Sequence, residues 1–535
     1  MDETASSAEK HFALDWIDGH LGDLSDWNQV IWHFAEPALR EYKSAAWYVD
    51  LLRRKGFEVE AGSGGMPTAF SAIWSNAARP GDPVIGAYAE YDAVPGNCQA
   101  ASTRKEPRAG LSRHAAGHTD PHSALGISSL GGVLAAKAAM EKFGLRGTIR
   151  YFGEPAEKLR LSKPVHAAKG YYDGIDAFIS FHPTYMLPLV NTARWDTHCG
   201  LGYACIYTFD CEQPETWLSA DPHSPIPASH LSARAPGAND ALFHMFGTTK
   251  QAQSNMLPFT GGWSISEAIL TAGQATADNL PAQTAQIQYL WRAPTLEMAE
   301  TIARVLDHNA EAAARAAHCR WTKTWVTKSR PGLPNHVMAQ VTYDNLKLAG
   351  APHWNAEAIA VAQEIQREIG IEPMEKPFLP AIEQLIEPQE AERRLRQNLP
   401  PWQLHSTSDD YTEYCWSAPT VRFYIGRPML KPAPGANYPD WVMNALGGLR
   451  SCIDPMIRTA SRTIGATIID LMTRPDLLQA AKEEWRDRTG GGIGGSNWMG
   501  PLLPKDFRAP IDFRWPEYAT TARGEEWWIP AREGE

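Results

Sequence analysis

The chain has 535 residues, of which 44% are hydrophobic and 21% are charged, which is typical of a globular protein with two or three domains. Its net charge of -11 argues against a nucleic-acid-binding protein, and the sequence contains no apolar run of the roughly 20 residues that a membrane span needs. The polar N-terminus and seven cysteines without a CxxC pair predict a cytoplasmic protein with reduced thiols.

The first third of the chain alternates between helical and strand patterns. Apolar residues at helical spacing predict helices, and short apolar runs that end in turns or acidic loops predict strands. The predicted elements are, in chain order, helix 11–54, strand 84–89, helix 125–143, strand 147–153, helix 165–172 and strand 176–181. This alternation predicts an α/β fold with a mixed, mostly parallel sheet.

The middle of the chain changes character, because residues 195–324 combine antiparallel strand patterns with helices. We therefore predict an inserted α+β domain at 195–324, which divides the first domain into residues 1–194 and 325–480. Residues 481–535 form a Trp- and Pro-rich tail that is predicted to pack on the core. The later predicted elements are helices 335–348, 356–369 and 452–472 and strand 421–425.

Two side chains of the kind that bind metal ions, Asp120 and His122, stand just before the predicted helix 125–143. A carboxylate beside an imidazole suits zinc or manganese, although an isolated Asp120 would more often cap the helix. Glu157 and His182 follow the ends of two other predicted strands. Because ligands bind beyond the carboxyl ends of strands in open α/β sheets, this recurrence predicts a site there.

A series of motifs in fixed order resembles the amidohydrolase branch of the metallopeptidases that include aminoacylase and carboxypeptidase G. The motifs are EYDAVPG, GHTDPHSALG, GTIRYFGEPAEK, FHP, SHLSA, DNLPAQ and YLWRAP, and the match covers about residues 10 to 475. The resemblance implies a catalytic domain with two adjacent metal ions. It also implies that the inserted domain makes a homodimer.

The resemblance also implies roles for individual residues. Asp120, His122 and His182 match metal ligands, with Asp120 standing where the branch has cysteine, and Glu157 matches the general base. Lys158 replaces a ligand glutamate, and Asp454 replaces the last ligand histidine.

These two replacements predict a Lys158–Asp454 ion pair in place of the second metal, which leaves one divalent ion, manganese or zinc, per chain. The alternative is that Asp454 still binds a second ion, with Lys158 turned away from the site.

Several residues around this set match other positions of the family. His230 matches a histidine that reaches across the dimer to stabilise the oxyanion, and Asn279 and Arg292 match positions that bind the substrate. Asp92 matches an acid that orients a ligand histidine, and His118 is predicted to lie just behind the ligands.

Alternatives stay open for some of these residues. A plain structural salt bridge fits Arg292 equally well, and Asp410 and Glu413 are predicted to be surface charges.

The implied activity is hydrolysis of an amide C–N bond in a small N-acyl or aminobenzoyl-type, aromatic amino-acid conjugate. A second hypothesis is hydrolytic deamination of an activated aromatic amine such as a nitroanthranilate. A third is a catalytically inactive protein that binds a ligand or supports a partner subunit. A homodimer through the inserted domain is expected, with a different partner subunit as the alternative.

Overall fold

The computed structural model describes residues 7–211, 237–257, 261–273, 282–433, 435 and 437–511, and the backbone of 518–521 and 524–527. The α-helices of these residues are α1 (Ala8–Gly19), α2 (Leu21–Phe34), α3 (Tyr42–Arg54), α4 (His122–Phe143), α5 (Ser162–Ala168), α6 (Ala238–Gln253), α7 (Leu296–Ala316), α8 (His336–Ala349), α9 (Ala356–Glu368), α10 (Pro388–Arg396), α11 (Thr412–Cys415), α12 (Asp440–Gly448), α13 (Arg450–Thr473) and α14 (Pro475–Thr489).

The strands are β1 (Glu58–Ala61), β2 (Phe70–Ser75), β3 (Val84–Ala89), β4 (Thr148–Gly153), β5 (Ala177–Pro183), β6 (Thr192–Ala193), β7 (His198–Cys211), β8 (Ser264–Thr271), β9 (Thr284–Ala293), β10 (Cys319–Lys328), β11 (His405–Ser408), β12 (Thr420–Ile425), β13 (Tyr518–Thr521) and β14 (Gly524–Trp527). Short 3-10 helices cover Ser63–Gly65, Glu157–Leu159 and Pro380–Glu383.

The first sheet has seven strands in the order β1-β2-β4-β3-β5-β12-β6. Its four central neighbours, β4, β3, β5 and β12, are parallel, and the strands outside them are antiparallel. The carboxyl ends of β3, β5 and β12 therefore lie at one edge of the sheet. This arrangement confirms the predicted mixed, mostly parallel sheet.

The second sheet is antiparallel, in the order β10-β7-β9-β8, and β11 joins β7 in the parallel direction. Its main strands come from the middle of the chain, whereas β11 comes from the later part. α6 and α7 pack with this sheet around a separate apolar core.

Helix α4 lies at the centre of the first core and packs against α13. Ser461 donates a hydrogen bond of 2.9 Å to the carbonyl of Ser128, and a Cβ at Gly132 would lie 2.6 Å from Ile464. The glycine therefore allows the two helices to approach closely. Of the helices in the described ranges, α4 is long and apolar enough to cross a membrane, and most of it is buried inside the protein.

Several element boundaries differ from the prediction. The predicted helix 11–54 is three helices, because the chain leaves helical geometry at His20, with φ of -113°, and again at Ala35, with a left-handed φ of 40°. The predicted boundary at residue 480 falls inside α14, which begins at Pro475, a residue whose missing N–H is not needed in a first helical turn. The described part of the tail contacts the core, where the indole of Trp498 donates a 2.7 Å hydrogen bond to the carbonyl of Trp416.

Candidate active site

Helix α4 begins at His122, three residues earlier than predicted, so His122 projects from a first helical turn instead of an extended segment. The residue before it, Pro121, provides no side-chain hydrogen bond to the helix. Asp120 faces the ring nitrogens of two histidines, with Oδ2 lying 3.6 Å from Nε2 of His122 and 3.5 Å from Nε2 of His182. The structure thus brings together the three predicted metal ligands, and Asp120 does not act as the helix cap.

His182 is held in the tautomer that a metal ligand needs. It lies near the end of β5, and its Nδ1 donates a 2.6 Å hydrogen bond to the carbonyl of Pro183, which leaves the lone pair of Nε2 directed at Asp120. Burial lowers the pKa of His182 to about 3, although Asp120 acts in the opposite direction. The ring is therefore neutral at ordinary pH, as metal ligation requires.

His122 contacts Asp92, the acid that the resemblance matches to a histidine-orienting position. Nδ1 of His122 lies 2.6 Å from Oδ1 of Asp92, just beyond β3. Burial and Lys158 disfavour protonation of His122, but Glu90 and Asp92 outweigh them and raise its pKa to about 10. The carboxylates of Glu90 and Asp92 therefore favour a positive charge at this imidazole.

Glu90, which was not predicted as a site residue, stands beside these side chains. Its Oε2 lies 3.4 Å from Nε2 of His122, is buried, and accepts no hydrogen bond from the described residues. Glu90, His122 and His182 offer three ligand atoms within 4.8 Å of one another. The alternation Glu90–Tyr91–Asp92 could have revealed it, because residues two apart leave an extended segment on the same side.

Three separations among the donor atoms of Asp120, Glu90, His122 and His182 match those between ligands of one ion. Ligand atoms about 2.1 Å from an ion at tetrahedral angles lie about 3.4 Å from one another. The three separations of 3.4, 3.5 and 3.6 Å agree with this spacing. The unsatisfied oxygen of Glu90 is a further sign that the residues fit a divalent ion.

Lys158 points its ammonium into the same cluster. Nζ lies 3.1 Å from Oδ2 of Asp120, 3.2 Å from Oε2 of Glu157 and 3.0 Å from Nε2 of His122. Burial opposes the charge, but Asp120 and Glu157 outweigh it and raise the pKa of Lys158. Burial likewise opposes ionisation of Asp120, and Lys158 and His182 outweigh it and hold the pKa of Asp120 well below its usual range.

The predicted Lys158–Asp454 ion pair is wrong. Asp454 lies on α13, where it hydrogen-bonds Ser25 and interacts with Arg450, and burial raises its pKa to about 6. Lys158 lies on the 3-10 helix Glu157–Leu159, within reach of carboxylates at the sheet edge. The alternative in which Lys158 turns away from the ligands disagrees with the structure as well.

Both oxygens of the Glu157 carboxylate contact cations. Arg160 lies 2.6 Å from Oε1, and Lys158 lies 3.2 Å from Oε2. Burial would raise the pKa of Glu157, but Arg160 and Lys158 outweigh it and hold the pKa well below its usual range. Glu157 is therefore an ionised, firmly oriented carboxylate, and its Oε2 lies 3.7 Å from Nε2 of His122.

Asp410 and Glu413 are buried, which corrects their prediction as surface charges. Lys163 bridges Asp410 and Glu90 at 2.7 and 2.8 Å, and Glu413 pairs with Arg330 at 2.6 Å. The cations that pair with Asp410 and Glu413 come from distant parts of the chain. The polar sequence around the two carboxylates therefore gave no indication that they are buried.

The other predicted residues lie at varying distances from the ligands. Arg292 is exposed on β9 and makes no ion pair within the described part of the chain. Partial burial of its guanidinium and the neighbouring Arg160 lower the pKa of Arg292. His118 is buried, and its Nε2 lies 3.3 Å from the carbonyl of Ile31. Two further predicted residues, His230 and Asn279, lie outside the described ranges.

Comparisons with known proteins cover nearly the whole chain. No protein-family model matches it. The chain is 23% identical over 498 residues to one subunit of the p-aminobenzoyl-glutamate hydrolase of Escherichia coli (strain K12), covering 89% of this chain and 95% of that protein.

Two solved structures share the fold. An aminobenzoyl-glutamate utilization protein from Klebsiella pneumoniae has a TM-score of 0.52 at 14% identity, covering 86% of this chain and 99% of that chain. A methicillin-resistant Staphylococcus aureus protein described as an aminohydrolase has a TM-score of 0.50 at 14% identity, covering 87% and 100%. The predicted resemblance is confirmed at this level: the chain is similar over most of its length to a subunit of p-aminobenzoyl-glutamate hydrolase, and it shares the fold of an aminobenzoyl-glutamate utilization protein.

Proposed function

We propose that the protein hydrolyses the amide C–N bond of an N-acyl or aminobenzoyl-type conjugate of an amino acid, with an aromatic acyl group. The observation that carries this proposal is the convergence of Asp120, Glu90, His122 and His182, with three donor-atom separations of 3.4 to 3.6 Å, beside an oriented Glu157. The relative from Escherichia coli, whose name describes p-aminobenzoyl-glutamate hydrolysis, supports the same class of substrate.

The metal ligands in this proposal are Asp120, His122 and His182, with Glu90 as a fourth. Carboxylates combined with imidazoles suit manganese or zinc. A bound divalent ion would lower the pKa of water and polarise the substrate carbonyl. Since the ammonium of Lys158 already lies between Asp120 and Glu157, we propose that one ion is bound per chain.

Glu157 is proposed as the general base and, later, the general acid. It would accept a proton from the attacking water and deliver it to the leaving nitrogen. Arg160 and Lys158 hold its two oxygens in place. The proposed roles of His230 at the oxyanion and of Asn279 and Arg292 at the substrate follow from the family resemblance.

The assembly is also a proposal. The inserted domain, residues 195–324, would join two copies of the chain, which the role of His230 requires. The name of the Escherichia coli relative describes one subunit of a hydrolase, which supports a different partner subunit as the alternative. Size measurement of the protein expressed alone, with light scattering, separates the two arrangements.

The test combines metal analysis with a substrate panel. Protein purified without chelators should contain one equivalent of manganese or zinc and should hydrolyse some N-aroyl amino acids. The Glu157→Gln variant should lose about 100-fold to 10,000-fold in kcat while it retains the metal. Turnover of aryl amines alone would replace amide hydrolysis with deamination, and absence of both metal and turnover would favour a binding protein.

A further inference from the structure

Arg427 lies at the same sheet edge as the proposed ligands. It follows the end of β12 by two residues, and β12 runs parallel to β5 with Tyr424 opposite His182. Its side chain is only 10% exposed, and Nη1 lies 3.5 Å from Oδ1 of Asp120. Arg427 thus faces the oxygen of Asp120 that points away from the histidines.

The guanidinium of Arg427 is poorly satisfied. Nη1 donates to the carbonyl of Thr119 at 3.2 Å, Nη2 reaches only the sulfur of Met443 at 3.9 Å, and the buried Nε has no partner among the described residues. By contrast, buried Arg194 donates hydrogen bonds of 2.8, 2.7 and 3.1 Å from Nε, Nη1 and Nη2. The Nε–Nη2 edge of Arg427 therefore lacks an oxygen acceptor.

That edge has the chemistry of a carboxylate site. Nε–H and Nη2–H are parallel donors that match the two oxygens of a carboxylate. A buried guanidinium without a full set of acceptors is costly, and an anionic ligand would remove the cost. Neighbouring Lys158 adds a second positive charge on the other side of Asp120.

We infer that Arg427 binds the carboxylate of the substrate and so determines specificity for conjugates with a free carboxylate next to the scissile bond. This inference rests on the proposed amide hydrolysis. In an N-acyl amino acid, one carbon separates the amide nitrogen from the carboxylate, through bonds of about 1.46 and 1.52 Å. A carboxylate held by Arg427 would therefore place the amide near Asp120, whose Oδ1 lies 3.5 Å from Nη1 of Arg427.

The experiment is a binding measurement that does not depend on turnover. In a Glu157→Gln background, calorimetry compares N-benzoylglycine with its neutral amide, N-benzoylglycinamide. We expect the acid to bind more tightly than the amide. Arg427→Gln should weaken binding of the acid about tenfold to a hundredfold, while the affinity for the amide changes little. Arg427→Lys keeps the positive charge but lacks the two parallel N–H donors of the guanidinium, so it should give an intermediate loss of affinity for the acid.

Arg458→Gln is the matched control, because Arg458 pairs with Asp18 on the exposed surface and should leave both ligands unaffected. Equal binding of acid and amide, no binding of the acid, or unchanged acid binding in Arg427→Gln would overturn the inference. If the acid preference depends on Arg427 but no amide is hydrolysed by the wild-type protein, the proposed function fails and the carboxylate site stands.

Discussion

The ammonium of Lys158 lies 3.1 Å from Oδ2 of Asp120, the same oxygen that faces His122 and His182. Oδ2 of Asp120 therefore contacts the ammonium of Lys158 and both histidines, and the same ammonium lies 3.0 Å from Nε2 of His122. In the proposed one-metal site, the positive charge of Lys158 would take the place of a second metal ion.

Lys158→Glu should increase the metal content. The wild-type protein should bind one equivalent of manganese at saturation, because the ammonium repels a second ion. The substitution removes that cation and adds a carboxylate next to Asp120, so we expect binding of a second, weaker equivalent. Lys158→Met, which removes the charge without adding a carboxylate, is the control and should still bind one equivalent of manganese. Elemental analysis after dialysis measures this, and two equivalents in the wild-type protein would contradict it.

Asp92→Asn should weaken metal binding by about 10-fold to 100-fold, because Asp92 orients the ligand histidine His122 through a 2.6 Å contact. The measurement is a competition titration with a fluorescent chelator. Asp18→Asn, at an exposed ion pair with Arg458, provides the control and should leave the affinity unchanged. An unchanged affinity in Asp92→Asn would show that His122 does not hold the ion.

Lys163→Met should destabilise the protein by about 3 to 5 kcal/mol, because it leaves Glu90 and Asp410 buried without their shared cation. Urea unfolding followed by tryptophan fluorescence measures the loss. Addition of Asp410→Asn should recover part of it, since one of the two charges is then removed. Lys137→Met, at a surface pair with Glu141, should cost less than about 1 kcal/mol. Equal effects of the two lysine substitutions would argue against the buried network.

Asp454→Asn should change the pH dependence of stability without changing the metal content. Burial raises the pKa of Asp454 to about 6 in the folded protein, so the folded state holds the proton more tightly than the unfolded state does. Asp454 therefore favours folding at low pH, and that contribution is lost as the pH rises from about 4 to about 6. As the pH rises from 4 to 7, the free energy of unfolding of the variant should increase by about 1 to 3 kcal/mol relative to that of the wild-type protein.

Unfolding at both pH values measures this difference, and elemental analysis of the same samples checks the metal. A variant that loses its ion would return Asp454 to the ligand set. A difference in stability that does not vary with pH would contradict the raised pKa.

Much of this candidate site could be predicted from the sequence because its residues lie near strand ends or at the start of a helix. The local patterns around 84–89, 147–153 and 176–181 predict parallel strands, and the topology then brings Asp120, His122 and His182 to one edge. Glu90 and Asp92 are two residues apart in an extended segment, so their side chains leave it on the same side. This spacing could have placed both residues at the site, although only Asp92 was predicted there.

The tertiary structure decided which charges meet. Lys158 contacts Asp120 and does not contact Asp454. The buried carboxylates of Asp410 and Glu413 pair with Lys163 and Arg330, respectively. Arg427 lies beside Asp120. Local sequence patterns reflect backbone preferences over a few residues, so they determine the elements and the residues at their ends. Ion pairs between segments 38 to 307 residues apart depend on the packing of those elements, which no local pattern encodes.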